Sequence, residues 1–371
     1  MGTAKKAINQ TLVFLILLVF PLGQLTRLEF YWNDWLVVFH LLDLLVGLTV
    51  LLNLKTLMRS RHFKSFFWLG VYLAISFAVS YFVFGFSNYL RGFFYLVRLL
   101  SQLSFFLILK ESALVGRFLE RFWVMALLAA AFLGWYQFLT IPDLRFLADF
   151  GWDDHYYRLA GAFLDPGFAG LVMALSAVYF LAKKKWFLSV FFAVTTLFTY
   201  SRASMVALLA GLIFVLLRGR QLKRLLVIVG VLFLLVGLLP NRGGEGNNLK
   251  RTFSVVSRLI NYSEAARIFS QSPLLGIGYN NYCEGKAVFL EATDTASHSC
   301  SGADSSLLFL LATTGVVGVL LMGKSLQAFW VDSPSIWPLL VVLVVHSFFQ
   351  NSFFYPWVWV MLAFTTAKRK P

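Results

Sequence analysis

Four short patterns carry the residue types in this chain that could do chemistry. The first, RLAGAFLDPGFAG, opens at Arg158 and sets Gly161, Asp165, Pro166 and Gly167 at the head of an apolar run. The second, YSRAS, places Arg202 in a very short turn between two apolar runs. The third, SRLINYSEAARIFSQSPLLGIGYNNY, carries Arg258 and Arg267 ahead of Pro273, Gly276 and Gly278. The fourth, SHSCSGADSSLLFLLATTGVVG, carries His298, Asp304, Ser305 and Gly315. Arginine offers planar, paired donors for phosphate oxygens, and such cations tighten their hold as negative charge develops. A histidine near neutral pKa suits a base that takes the proton of an attacking hydroxyl, and a carboxylate is the other candidate. Each residue also has a plainer reading. A terminal arginine snorkels to headgroups, and an aspartate ahead of a helix is an N-cap or dipole partner. Their joint setting is what points to chemistry.

The elements that position these residues must lie in a bilayer. The chain has 371 residues, of which 59% are hydrophobic, 18% aromatic and only 13% charged, too apolar for one water-soluble core. A hydrocarbon core of about 30 Å needs about 20 helical residues, and apolar runs near that length recur throughout. The composition therefore gives an all-α, polytopic integral membrane protein of about 12 transmembrane helices. They are expected at 11–27, 36–54, 66–84, 91–109, 122–140, 159–182, 187–201, 203–217, 225–240, 303–323, 336–351 and 353–367. The first run, behind Lys5 and Lys6, has the start of a signal peptide, but no small-residue cleavage site follows and it is kept as a helix.

An even number of spans puts both termini on one side, and most of the 32 basic residues fall in the short segments of that side. The positive-inside rule makes it the cytoplasm. The polar interval 241–302 then becomes one large extracytoplasmic loop before helix 10, closing over a single transmembrane domain that spans 1–371. Within it Ser263 is expected to cap a turn from Glu264, with Pro273, Gly276 and Gly278 stopping it. The net charge of +15 reports orientation rather than nucleic acid, because no basic patch with interleaved aromatics lies on a soluble segment.

Asp43 and Arg98 lie inside expected spans, each about seven residues from the outer end and so about 10 Å deep. A lone charge at the bilayer centre costs roughly 2.5–3.5 kcal/mol, so the two are expected to pair or to share a wet cavity. Asp153, Asp154 and His155 are metal-ligand types, although a solvated acidic loop is the plainer reading. Cys283 and Cys300 both fall in the polar interval. In an oxidising compartment they would bridge and restrain the approach to His298.

In order and spacing, the four patterns resemble the O-antigen ligase and O-antigen polymerase family of bacterial surface-polysaccharide assembly. The resemblance covers about residues 150–325 and the layout with a large loop before helix 10. It implies a GT-C-like, metal-independent, inverting glycosyltransferase without a cofactor, on the outer side of the bacterial cytoplasmic membrane. Its partners would be membrane lipids, an undecaprenyl-diphosphate-linked glycan donor and a glycan or glycolipid acceptor, with no nucleic acid. Ligases of the family place the glycan on the lipid A core; polymerases place it on another lipid-linked glycan. Arg158, Arg202 and Arg258 match the family's arginines and are expected on the diphosphate. Arg267 matches less clearly and could instead face solvent or pair with Glu264. One departure concerns the base. Ligases commonly carry a His-Asn pair about eleven residues before the glycine of helix 10, and counting back eleven from Gly315 reaches Asp304, followed by Ser305. His298 lies six residues further upstream, so His298 and Asp304 both stand as candidates. The alternative function is a transporter or flippase of lipid-linked saccharides, which would explain the many helices, Asp43 and Arg98. Against it, no corresponding broken helices mark two halves, and the arginines gather at outer helix ends rather than at the midplane.

Overall fold

The computed structural model describes residues 3–32, 35–85, 89–112, 114–241, 243, 245–292, 300 and 302–367. Among them the chain folds into fifteen α-helices. The first six are α1 (Thr3–Val19), α2 (Leu41–Leu52), α3 (Leu54–Met58), α4 (Phe63–Phe84), α5 (Tyr89–Glu111) and α6 (Arg117–Thr140). Then come α7 (Pro166–Ala182), α8 (Trp186–Leu197), α9 (Arg202–Arg218), α10 (Leu222–Gly237), α11 (Phe253–Gln271) and α12 (Tyr282–Leu290). The last three are α13 (Ser306–Asp332), α14 (Trp337–Ser347) and α15 (Pro356–Thr366). Among the described residues five segments are long and apolar enough to cross a membrane: Ala4–Thr26, Phe63–Phe84, Gly92–Glu111, Arg117–Thr140 and Ser306–Gln327. Five more apolar helices are shorter. This is the architecture of a polytopic helical membrane protein.

α7 and α15 form its centre, with nearly every residue of each buried. Small residues let the surrounding helices close in, the usual device where lipid removes the hydrophobic drive between helices. A Cβ on Gly170 would fall 2.5 Å from Ser204 Oγ of α9, and one on Gly211 would fall 2.4 Å from Val342 of α14. Phe168 stacks on Tyr355 with ring centroids 4.0 Å apart, tying the head of α7 to the head of α15.

Three local expectations change. Residues 36–40 are not the start of a helix. Trp35–His40 is β2, antiparallel to β1 (Arg27–Trp32), with Arg27 opposite His40 and Trp32 opposite Trp35. A run such as Leu-Val-Val-Phe is apolar at every position and includes two β-branched valines, so periodicity cannot tell strand from helix there; a partner strand decides it. Residues 159–165 also lie outside the α-helix, with only a short 3-10 turn at Gly161–Phe163. α7 begins only at Pro166, where the Asp165 carboxylate accepts from the N–H groups of Gly167 (2.5 Å) and Phe168 (3.0 Å). Ser263 caps nothing, because α11 already runs from Phe253 and the Ser263 hydroxyl donates to the Ile260 carbonyl inside it. That helix does end at Gln271, ahead of Pro273.

Asp43 and Arg98 meet, Oδ2 to Nη2 at 2.9 Å, both buried. Asp43 sits in the first turn of α2 rather than deep within it, and its carboxylate accepts from the His40 N–H at 3.1 Å as a helix-start cap. Gln102 Nε2 donates to its other oxygen at 3.3 Å, and Arg98 also donates to the Val38 carbonyl at 2.7 Å. One ion pair thus joins α2, α5 and the hairpin.

Candidate active site

The region begins in the segment between α6 and α7. Gln137 of α6 fixes its path by accepting from the N–H groups of Ala160 (2.9 Å) and Gly161 (3.0 Å). Gly161 has φ +57°, and a Cβ there would lie 2.9 Å from the Gly134 Cα, so this close crossing needs glycine. The crossing delivers Arg158 to the N-terminal ends of α7 and α9, where its Nε donates to the Thr199 carbonyl at 3.0 Å. Those two N-termini touch: Ser204 Oγ donates to the Gly167 carbonyl at 3.1 Å. Gln350 Nε2 reaches both Asp165 oxygens at 3.4 Å, while its carbonyl accepts from Ser306 at the start of α13. Three helix N-termini therefore gather in one place, a field that favours anions.

Arg202 is the first residue of α9. Its guanidinium donates to the carbonyls of Arg251 (2.9 Å) and Leu249 (3.3 Å) and to Ser254 Oγ (2.6 Å). Arg251 reaches back to the Tyr200 carbonyl at 3.4 Å and to Gly246 at 2.6 Å. The two arginines interlock the head of α9 with the chain leading into α11, so Arg202 holds that chain in place.

α11 brings the remaining charges. Arg258, Asn261, Tyr262, Ala265 and Ile268 share one face by their i+3 and i+4 spacing. Asn261 Oδ1 accepts from the Asp304 N–H at 2.7 Å, and the Tyr262 hydroxyl donates to the Phe348 carbonyl, so this face looks onto α13 and the end of α14. Arg258 makes no hydrogen bond or ion pair among the described residues. Its charge acts on Arg158, Arg202, Tyr262 and Asp304, so it lies in their neighbourhood. Arg267 lies nine residues on, half a turn out of phase, and is exposed. Glu264, the other partner considered for it, pairs with Lys286 at 2.8 Å.

Electrostatics follow from this crowding. Burial, then the neighbouring Arg251 charge, pushes Arg158 down to about 10, with Asp165 and Asp153 working against the shift. Burial lifts the Asp304 carboxyl above its ordinary value; Arg258 opposes this, while Asp153 and Asp165 add to it. Burial followed by the Arg158 charge lowers His155, whose buried Nε2 has no hydrogen-bond partner among the described residues. Asp153 and Asp154 are exposed, and among the described residues no three His, Cys, Asp or Glu side chains converge on a metal-sized site. Asp304 is not an N-cap: Ser305 caps α13 by accepting from the Leu308 N–H at 3.5 Å.

The site thus brings together Arg158, Arg202, Arg258 and Asp304 and leaves Arg267 out. His298 lies outside the described residues. Cys300, two positions after it, is joined to Cys283 of α12 with Cα atoms 4.7 Å apart. Asp165 stood in the first pattern without a role of its own; not expected were Gln350, Arg251, and Asn261 with Tyr262. The last two were signalled by their helical spacing from Arg258; the others act through contacts distant in sequence. The model of the O-antigen ligase family matches residues 187–323, from α8 to the middle of α13. No curated protein matches the chain.

Proposed function

We propose, with the support of the O-antigen ligase family match over residues 187–323, that the chain transfers a glycan from an undecaprenyl-diphosphate carrier to a sugar hydroxyl. The proposal covers twelve spans, both termini in the cytoplasm, and residues 241–302 as an extracytoplasmic cap over the active site in the bacterial inner membrane. What carries this reading is Arg258. It is a cation without a partner of its own among the described residues, in the neighbourhood of Arg158 and Arg202 and beside the gathered helix N-termini. A departing diphosphate, gaining negative charge as the glycosidic bond breaks, is the anion such a place stabilises most in the transition state.

In this reading Arg158 and Arg258 hold the diphosphate oxygens, and Arg202 keeps the loop that carries Arg258 seated. Asp304 or His298 takes the proton of the acceptor hydroxyl as it attacks the anomeric carbon from the face opposite the leaving group, inverting it without a metal. Purified protein would be given a lipid-diphosphate oligosaccharide with and without a glycolipid acceptor. A single added block on the acceptor identifies a ligase, a ladder of lengthening products a polymerase. Arg258→Gln is expected to slow either reaction at least a hundredfold, and Arg267→Gln to leave it near wild type. Movement of the carrier across the membrane with no transfer would replace this reading by a flippase.

A further inference from the structure

α7 and α9 both run away from the arginine cluster, and at about 1.5 Å per residue their far ends lie about 25 Å from it. There the chain encloses a second polar–apolar place. A cavity of about 380 Å³ is lined by Lys183, Lys184, Arg218, Gln221 and Ser335, with Trp186 at its side and no carboxylate in its lining. Arg218 also lines a second, open hollow of about 500 Å³ with Phe214, Leu217 and Trp337. The basic part and the apolar part therefore meet at one side chain.

The arrangement has a depth marker. Trp186 and Trp337 open α8 and α14, and indole rings at helix ends settle at the headgroup level of a bilayer. Arg224 lies over the Trp186 ring at 5.3 Å and donates to Gln221 Oε1 at 3.0 Å, and Arg218 donates to the Pro334 carbonyl at 3.4 Å. From this level apolar surface continues into the bilayer, with Leu217, Phe187 and Val190 well exposed. A small soluble anion would use the lysines and Arg218 but leave that apolar track bare. A phosphodiester headgroup with acyl chains uses both.

We propose that this place is a binding site for an anionic phospholipid, its phosphate held between Lys183, Lys184 and Arg218 and its chains lying along Phe214, Leu217 and Trp337. The site is separate from the arginine cluster and stands or falls independently of the transfer chemistry. The test uses the full chain purified in mild detergent, with phosphatidylglycerol and phosphatidylethanolamine as probes, read by native mass spectrometry of retained lipid. The wild type should retain phosphatidylglycerol preferentially. Lys184→Gln with Arg218→Gln should weaken that retention about tenfold or more, while Lys223→Gln, a nearby cation outside the lining, should not. A photoreactive phosphatidylglycerol should cross-link wild-type protein at Leu217 or Trp337, which needs no variant to fold. Equal retention of the two lipids, an unchanged double variant, or cross-links confined to other helices would overturn the site. Displacement of the lipid by millimolar inorganic phosphate would replace it with a soluble phosphate ligand.

Discussion

Asp304 is a carboxyl whose surroundings favour its neutral form, and that has a consequence for pH. In the proposed role of acceptor base it would work only when ionised, so the transfer rate should then rise with pH through a midpoint above the ordinary carboxylate value near 3.9. Asp304→Asn should erase that acid limb and slow transfer by roughly 10²–10⁴ while the donor still binds. If the limb survives in Asp304→Asn and disappears in His298→Ala, the base is the histidine. The same carboxyl holds its proton more firmly folded than unfolded. Its contribution to stability is therefore present at low pH and lost as pH climbs from the unfolded value through the raised folded one. Arginines suited to phosphate stand out in the sequence because their chemistry is carried by residue type. What Arg202 does is not visible there, since its partners are backbone carbonyls at Leu249 and Arg251, and no residue type announces a carbonyl. Gln350 is hidden for a related reason: it reaches Asp165 from 185 positions away.

At the scale of elements, α13 carries the least expected feature. The helix is broken at Gly315, where φ is +63°. The chain from Pro273 to Gly278 lies in the break, with the N–H groups of Ile277 and Gly278 donating to Ala312 and Thr313 at 3.1 and 2.9 Å. In return the N–H groups of Val316 and Val317 donate to Pro273 and Leu274 at 2.9 and 3.3 Å. A Cβ at Gly315 would fall 2.2 Å from the Leu274 carbonyl oxygen, which is backbone and cannot swing aside. Gly315→Ala is therefore expected to cost more than about 3 kcal/mol, seen as a large drop in the melting temperature of detergent-solubilised protein. Gly323→Ala, on the same helix with open space around it, should leave melting almost unchanged. The long spans α4, α5 and α6 are legible from length and apolarity alone. The break is not, because an isolated glycine in an apolar run looks the same whether it relieves a crossing or does nothing.

Across the whole molecule, the buried Asp43–Arg98 pair fastens the hairpin and α2 to α5, and through α5 to the central α15. Breaking it from either side strands a buried charge. Asp43→Asn or Arg98→Gln alone should cost about 3–5 kcal/mol, and replacing both with apolar residues of similar volume, Asp43→Leu with Arg98→Met, should recover most of the loss in the same melting assay. The seam between residues 273–278 and α13 acts at the same scale, on traffic. Lifting that end of the 241–302 segment would leave four amides unpaired at about 1–3 kcal/mol each, so it behaves as a fixed jamb. The opposite end, from Pro240 to Arg251, is fastened by side chains, the Tyr200 hydroxyl to the Pro240 carbonyl, Arg202 to the Leu249 and Arg251 carbonyls, and Arg251 to the Tyr200 carbonyl. On the proposed reading, a bulky glycan would reach the arginine cluster from this side-chain-held side, near α9 and α10, rather than past the jamb, and a finished chain would leave the same way.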